Sequence, residues 1–217
     1  ILVDCGYYQE RDFRYRNWDP FPFPPEKLDC MVLTHAHLDH CGLIPKLVRE
    51  GFSGDIHCTS ATADIGKIVL LDSAHIQEED AAFKQKRHER EKRKPPHEVK
   101  PLYTTEDAQN SLGYFTPHRY EEPVELGNDL DVTFFDAGHI LGSSMVRFRI
   151  GTGKDSRVIL FSGDIGRYDK PILRDPTVFE SADTVVMEST YGDRFHKDKE
   201  DIDTLLADAV NTVKERG

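Results

Sequence analysis

The stretch Thr34-His35-Ala36-His37-Leu38-Asp39-His40 holds three imidazoles and a carboxylate directly behind the apolar run Cys30-Met31-Val32-Leu33. A strand that stops on such a cluster brings all four groups to one sheet edge. His35 and His37, two apart on extended backbone, point to the same side and can share one metal. Asp39 and His40 lie where the chain turns into the amphipathic stretch 41–50, so they can serve a second ion beside the first. Neutral imidazole and carboxylate oxygen are donors that zinc accepts, at about 2.0–2.2 Å. Two ions about 3.5–4 Å apart can clamp the attacking and leaving oxygens of a displacement. One histidine near a turn reads as a surface residue, whereas three with an aspartate in six positions read as a metal site.

Further ligands come from the second half. From residue 123 the texture is that of strands, expected at 130–135, 144–150, 158–161 and 184–187. Three of these runs lead to a group able to do chemistry: His139 after Phe134-Phe135-Asp136-Ala137-Gly138, Asp164 after Phe161-Ser162-Gly163, and Glu188 after Val185-Val186-Met187. His35, His37 and His139 are assigned to one zinc, Asp39 and His40 to the other, and Asp164 bridges the two.

In chain order, Ile1-Leu2-Val3-Asp4-Cys5-Gly6 reads as a strand entering a tight turn, and its start at residue 1 suggests numbering that begins inside a larger protein. Residues 7–25 are rich in aromatics and proline. They read as a packed loop whose rings anchor it to the body, in preference to a base-stacking platform. Leu43, Leu47 and Val48 give a short helix face that stops at Gly51. Residues 56–59 form the next strand, making a β-α-β unit with ligands at the carboxyl end, where α/β folds gather them. A helix is expected from 62 to about 94, with Ile65, Ile68, Val69, Ile76 and Phe83 near a 3.6 period and Pro95-Pro96 as its end. Thr104 and Asp107 offer an N-cap. A last helix carries Ile202, Leu205, Leu206, Ala209, Val210 and Val213 and closes on Gly217.

At 217 residues and 38% hydrophobic content the chain suits one large domain, or one domain and part of another. No stretch reaches the roughly 20 apolar residues of a membrane span, and no charged-then-apolar leader opens the chain. Cys5, Cys30, Cys41 and Cys58 show no C-x-x-C spacing, which favours a reducing cytosol, and Cys41 reads as a packed residue rather than a ligand. The net charge of −11 argues against a globally basic nucleic-acid surface. Bound zinc and the basic run at 84–94 still leave room for a polyanionic substrate.

Asp4 in D-C-G, the run His35 to His40, His139 in A-G-H-I-L-G-S and Asp164 in S-G-D together closely resemble the metallo-β-lactamase superfamily. Glu188 in E-S-T-Y-G is similar to the acidic motif of its β-CASP branch, and glutamate there to the RNA-processing members. Residues 72–80 resemble prokaryotic relatives of the cleavage-and-polyadenylation endonuclease. The resemblance implies an α/β fold, the αββα sandwich, incomplete here. Residues 1–192 would form the hydrolase domain and 193–217 the start of an inserted cap. It implies a zinc-dependent, cytoplasmic ribonuclease with two ions, single-stranded RNA as substrate, no membrane, and a homodimer or processing complex as its assembly. A metal-bridging hydroxide would attack phosphorus in line, with Asp39 ligating and orienting it, Asp4 holding a ligand or the loop, and Glu188 orienting an acid. Two histidines that the family carries after its cap have no counterpart here. His118 and His196 sit in no matching motif and read as surface or cap-packing residues. The competing readings are an RNA-binding scaffold and a metallo-hydrolase of another ester or phosphodiester; the full set of ligands expected in this stretch favours an enzyme. Charge reversal along 84–94 is expected to weaken RNA binding and flatten its salt dependence while leaving metal content unchanged, as checked by anisotropy titrations at several ionic strengths.

Overall fold

The computed structural model describes residues 1–94, 98–127, 129–193 and 202–216. Four parallel strands, β1 (Leu2–Val3), β2 (Cys30–Val32), β3 (Asp55–Thr59) and β4 (Phe115–His118), form one sheet in that order. The second sheet runs in sequence order through β5 (Val124–Gly127), β6 (Leu130–Asp136), β7 (Ser144–Ile150), β8 (Arg157–Phe161) and β9 (Thr184–Val186). It is antiparallel up to β8 and parallel between β8 and β9. Strands β4 and β5 carry no expectation from the sequence. Phe115-Thr116-Pro117-His118 holds a proline, and a Pro inside a short run hides a strand; here it is tolerated because β4 is an edge.

The helices on the first sheet explain its hydrophobic pattern. Helices α1 (Leu38–Cys41), α2 (Ile44–Arg49), α3 (Ser60–Glu91) and α4 (Thr105–Ser111) follow β2 and β3. The stretch 41–50 therefore holds the end of one short helix and all of another. Met31, Leu33, Ile44, Leu47, Phe52, Ile56, Leu70 and Tyr103 are buried together between these helices and the sheet. Thr104 and Asp107 close a reciprocal capping box on α4, each side chain accepting from the other's backbone N–H. Helix α3 ends at Glu91, with Lys92 left-handed at φ 50°, earlier than expected; Pro95 and Pro96 lie outside the described residues.

Between the sheets, Val32 of β2 meets Val132, Phe134, Val146 and Phe148 of β6 and β7. His118, one of the spare imidazoles, is part of this packing: it stacks on Phe134 at 5.9 Å and pairs with His57, ring nitrogens 2.9 Å apart. His196 lies outside the described residues. Helix α5 (Ile202–Arg216) is exposed throughout 204–216, so among the described residues helices cover only the first sheet, and the layers are helix, sheet, sheet. No helix among them is long and apolar enough to cross a membrane.

The loop 7–25 departs from its expected packing. Tyr7, Phe21 and Phe23 press on the core, but Tyr8, Phe13, Tyr15 and Trp18 stand at 43–61% exposure. Proline and aromatic content marks a loop; it does not say which rings face inward.

Phe134 is fully buried in the seam between the sheets. Phe134→Ala is expected to cost about 3–5 kcal/mol, read as a lower urea midpoint at unchanged slope.

Candidate metal centre

Strands β1, β2, β6, β8 and β9 all end at one edge of the two sheets, and the residues just beyond those ends meet there. Asp4 follows β1 in a left-handed conformation (φ 57°), which aspartate tolerates better than most residues. It turns its carboxylate back toward the loop after β2. One oxygen accepts the backbone N–H of Thr34 at 2.8 Å; the other accepts the Thr34 hydroxyl at 2.9 Å and His40 Nδ1 at 2.7 Å. Since the Thr34 hydroxyl spends its proton on Asp4, it accepts from His35 Nδ1, 3.0 Å away. The network thus assigns the proton of His35 to Nδ1 and leaves the Nε2 lone pair free to face the cluster.

His35 Nε2 lies 3.0 Å from His37 Nδ1, and His139 Nε2 lies 3.1 Å from that same atom. Asp164 brings one oxygen within 3.6 Å of His35 and 3.4 Å of His139. Ligand atoms of His35, His37, His139 and Asp164 all fall within 4.8 Å of one another. The other Asp164 oxygen is 3.2 Å from His40 Nε2, which is in turn 4.0 Å from Asp39. Asp164 therefore touches both halves of the cluster. Asp39, its side chain 45% exposed, stands at the open side.

Burial, reinforced by the neighbouring His40, pushes His35 down to about 3, so its ring is neutral, the form a metal requires. Burial and His139 lower His37 as well. Burial also opposes a charge on His40, but hydrogen bonds to Asp164 and Asp4 outweigh it and push that ring up to about 10. The same His40 contact, against burial, holds Asp164 down to about 2. A cation lodged between His40 and Asp164 would take the place of the proton there. Three ring nitrogens converging on one point with a carboxylate oxygen leave little room for mutual donation, whereas a divalent ion satisfies all four. The donor set fits such an ion of borderline softness.

Backbone contacts fix these loops. Gly6 is required because a Cβ there would fall 1.6 Å from the Asp39 carbonyl oxygen, so the D-C-G turn can lie flat on α1 only without a side chain. The loop carrying His139 is bolted to the other sheet through Gly142, whose carbonyl accepts from Thr59 at 2.7 Å and Thr62 at 2.8 Å. Ser143 Oγ accepts the backbone N–H groups of His139 and Ile140, both at 3.1 Å. Thr34 and Ser143 escape a reading of the sequence that looks for ligands, although each sits inside a motif that reading singles out.

Glu188 stands outside the group of four. Its carboxylate accepts the N–H of Ile165 at 2.8 Å, and it lines a cleft of about 470 Å³ beside His139 and Asp164, together with Arg167, Lys170 and Tyr191. Cys41, fully buried, donates to the Ala36 carbonyl and is no part of the cluster.

The pattern of the metallo-β-lactamase superfamily matches residues 1–209. Ribonuclease TTHA0252 of Thermus thermophilus is 38% identical over 91% of this chain and 39% of its own length. Transcription termination factor FttA of Methanosarcina mazei is 36% identical over all of this chain and 32% of its own length, and FttA of Methanocaldococcus jannaschii 30% identical over all of this chain and 32% of its own. The chain thus spans 32–39% of the length of these relatives. A solved subclass B3 metallo-β-lactamase from a soil metagenome, MEM-A1, aligns with a TM-score of 0.41 and 18% identity over 73% of this chain and 50% of that one.

Thr34→Val keeps the shape of the side chain but leaves His35 Nδ1–H without its acceptor. It is expected to lower affinity for added zinc about tenfold at unchanged far-UV circular dichroism, measured by competition with a chromophoric chelator.

Proposed function

The chain belongs to the metallo-β-lactamase superfamily, and from that premise we propose that it forms the hydrolase part of a cytoplasmic, zinc-dependent ribonuclease of the β-CASP type that cuts single-stranded RNA. The observation that carries the proposal is the pair of half-sites sharing Asp164: His35, His37 and His139 on one oxygen, His40 and Asp39 on the side of the other. His35, His37 and His139 would hold one ion and His40 and Asp39 a second, with Asp164 between them. When bound, a zinc pair supplies Lewis acidity to a phosphate and lowers the pKa of water toward neutrality.

The chain's own groups do the rest. Asp39, exposed at the rim, is placed to accept a hydrogen bond from the attacking water and aim it at phosphorus. Asp4 is a positioning residue that fixes His40 directly and His35 through Thr34. Glu188 holds the backbone next to Asp164 through Ile165 and faces the cleft in which one side of the substrate would lie. Lys170 in that cleft offers a positive charge to the RNA backbone. The names of the relatives, a ribonuclease and transcription termination factors, support RNA as the substrate class. The same proposal divides the chain into a hydrolase domain at 1–192 and the start of a cap at 193–217, in keeping with the wholly exposed 204–216. It places the protein in a homodimer or processing complex. Four unpaired cysteines support a reducing compartment.

The test is incubation of the intact protein with 5′-labelled single-stranded RNA and matched DNA, alongside metal analysis by mass spectrometry. Cleavage of RNA with two zinc per chain is expected, and Asp39→Ala is expected to abolish it even where zinc is retained. Near-normal turnover by that variant would overturn the assignment.

A further inference from the structure

Four large aromatic rings stand in solvent within one short stretch of the loop after Gly6: Tyr8 at 43%, Phe13 at 43%, Tyr15 at 61% and Trp18 at 54% exposure. Single exposed apolar residues are ordinary, but four rings in eleven positions call for an occupant. The stretch is not a loose strand of chain. Asn17, 7% exposed, clamps Tyr8 through both backbone groups, at 2.8 Å to its N–H and 3.1 Å to its carbonyl. Lys46 of α2 holds the other side by donating to the carbonyls of Asn17 and Asp19. The rings are therefore presented by a braced turn, which lowers the ordering cost of anything that stacks on them.

Guanidinium groups are interleaved with the rings. Arg16 lies 5.7 Å from the centre of Tyr8 and 5.2 Å from that of Phe13, while Arg11 and Arg14 are exposed and form no ion pair among the described residues. Three arginines against Glu10 and Asp12 make residues 8–18 locally cationic in a chain of net charge −11. That combination, π-faces for bases and cations for the phosphates between them, suits a single strand of nucleic acid better than an acidic copy of this chain. The place is right as well. Tyr8 follows by two residues the glycine that lies against Asp39, and the N–H of Tyr7 donates to Leu38 at the start of α1, so the loop that bears the rings leaves the body on the Asp39 side of the cluster. The cleft at Glu188 lies on the His139 and Asp164 side.

We propose that Tyr8, Phe13, Tyr15 and Trp18 form a stacking platform for unpaired bases of the RNA strand that passes the metal centre. The proposal rests on the ribonuclease reading for the identity of the strand. It assigns to this loop a sequence-tolerant grip on the substrate, separate from the phosphate contacts of the cleft.

The experiment uses the intact protein on the Asp39→Ala background, so that the probe survives, with fluorescein-labelled oligouridine of about 15 nucleotides and an abasic strand of equal length. Trp18→Ala and Tyr15→Ala are expected to weaken binding of the base-bearing probe about tenfold each, with an unchanged salt slope and no effect on the abasic probe. Trp18→Phe should restore most of the affinity, because a phenyl ring still stacks. Trp18 is the single tryptophan of this chain, and its fluorescence, isolated as the difference from Trp18→Phe, should be quenched by the base-bearing probe only. Equal affinity of Trp18→Ala and its parent overturns the proposal. So does an equal loss for both probes, or a change in sedimentation with RNA affinity intact, which would make the rings a contact between copies. A loss of base-specific binding on Trp18→Ala, together with failure of the protein with Asp39 intact to cleave RNA, would sink the ribonuclease reading and leave the platform standing.

Discussion

The carboxylate of Asp4 is the point on which the rest of the centre depends. A group at the end of a two-residue edge strand receives the Thr34 backbone, the Thr34 hydroxyl and His40, and through Thr34 it sets the tautomer of His35. Hydrogen bonds to an ionised acceptor are among the stronger ones a protein makes. Here they fix two imidazoles, each otherwise free to turn, so that the Nε2 of His35 and of His40 both face the cluster. The left-handed backbone at Asp4 is local strain that persists because the surrounding bonds over-determine it.

The cluster also fastens one sheet to the other. The Thr34 carbonyl accepts both the N–H and the hydroxyl of Ser144, at 2.9 Å each, and Gly142 is held by the first turn of α3. Side chains of the cluster that follow β2 thus reach those after β6 and β8 across the seam packed by Val32, Val132 and Phe134. A metal held by this cluster would couple its affinity to the packing of that seam, since a shift of one sheet on the other would separate His139 from His37. The closeness of Gly163 to Thr34, where a Cβ would come within 2.9 Å of the threonine, is a further measure of how tightly the sheets approach at this edge.

The distribution of charge follows the same economy. A chain of net −11 would repel RNA over much of its surface, so the binding proposed above would depend on local attraction. A cation-loaded cluster, the basic end of α3, Lys170 in the cleft and the arginines among the exposed rings are the places where it can act.

Much of this was legible in the residues alone. His35, His37, Asp39, His40, His139 and Asp164 are all named by the pattern of polar groups following apolar runs, because strand ends at a sheet edge are where an α/β fold can gather side chains. Strand β7 and the capping box at Thr104 and Asp107 were equally plain, since alternation and capping chemistry are local. What the sequence could not decide was anything set by a partner distant in the chain. The tautomer of His35 depends on Asp4, thirty-one positions earlier; the hold on His139 depends on Thr59 and Thr62; and Tyr7 faces inward while Tyr8 faces out because Asn17 and Ser73 happen to lie where they do. The sequence determined which chemistry this chain carries, because residue type and local spacing define the donors. The tertiary structure decided how those donors share Asp164 and which rings remain in solvent, because both are settled by contacts between elements that no local pattern records.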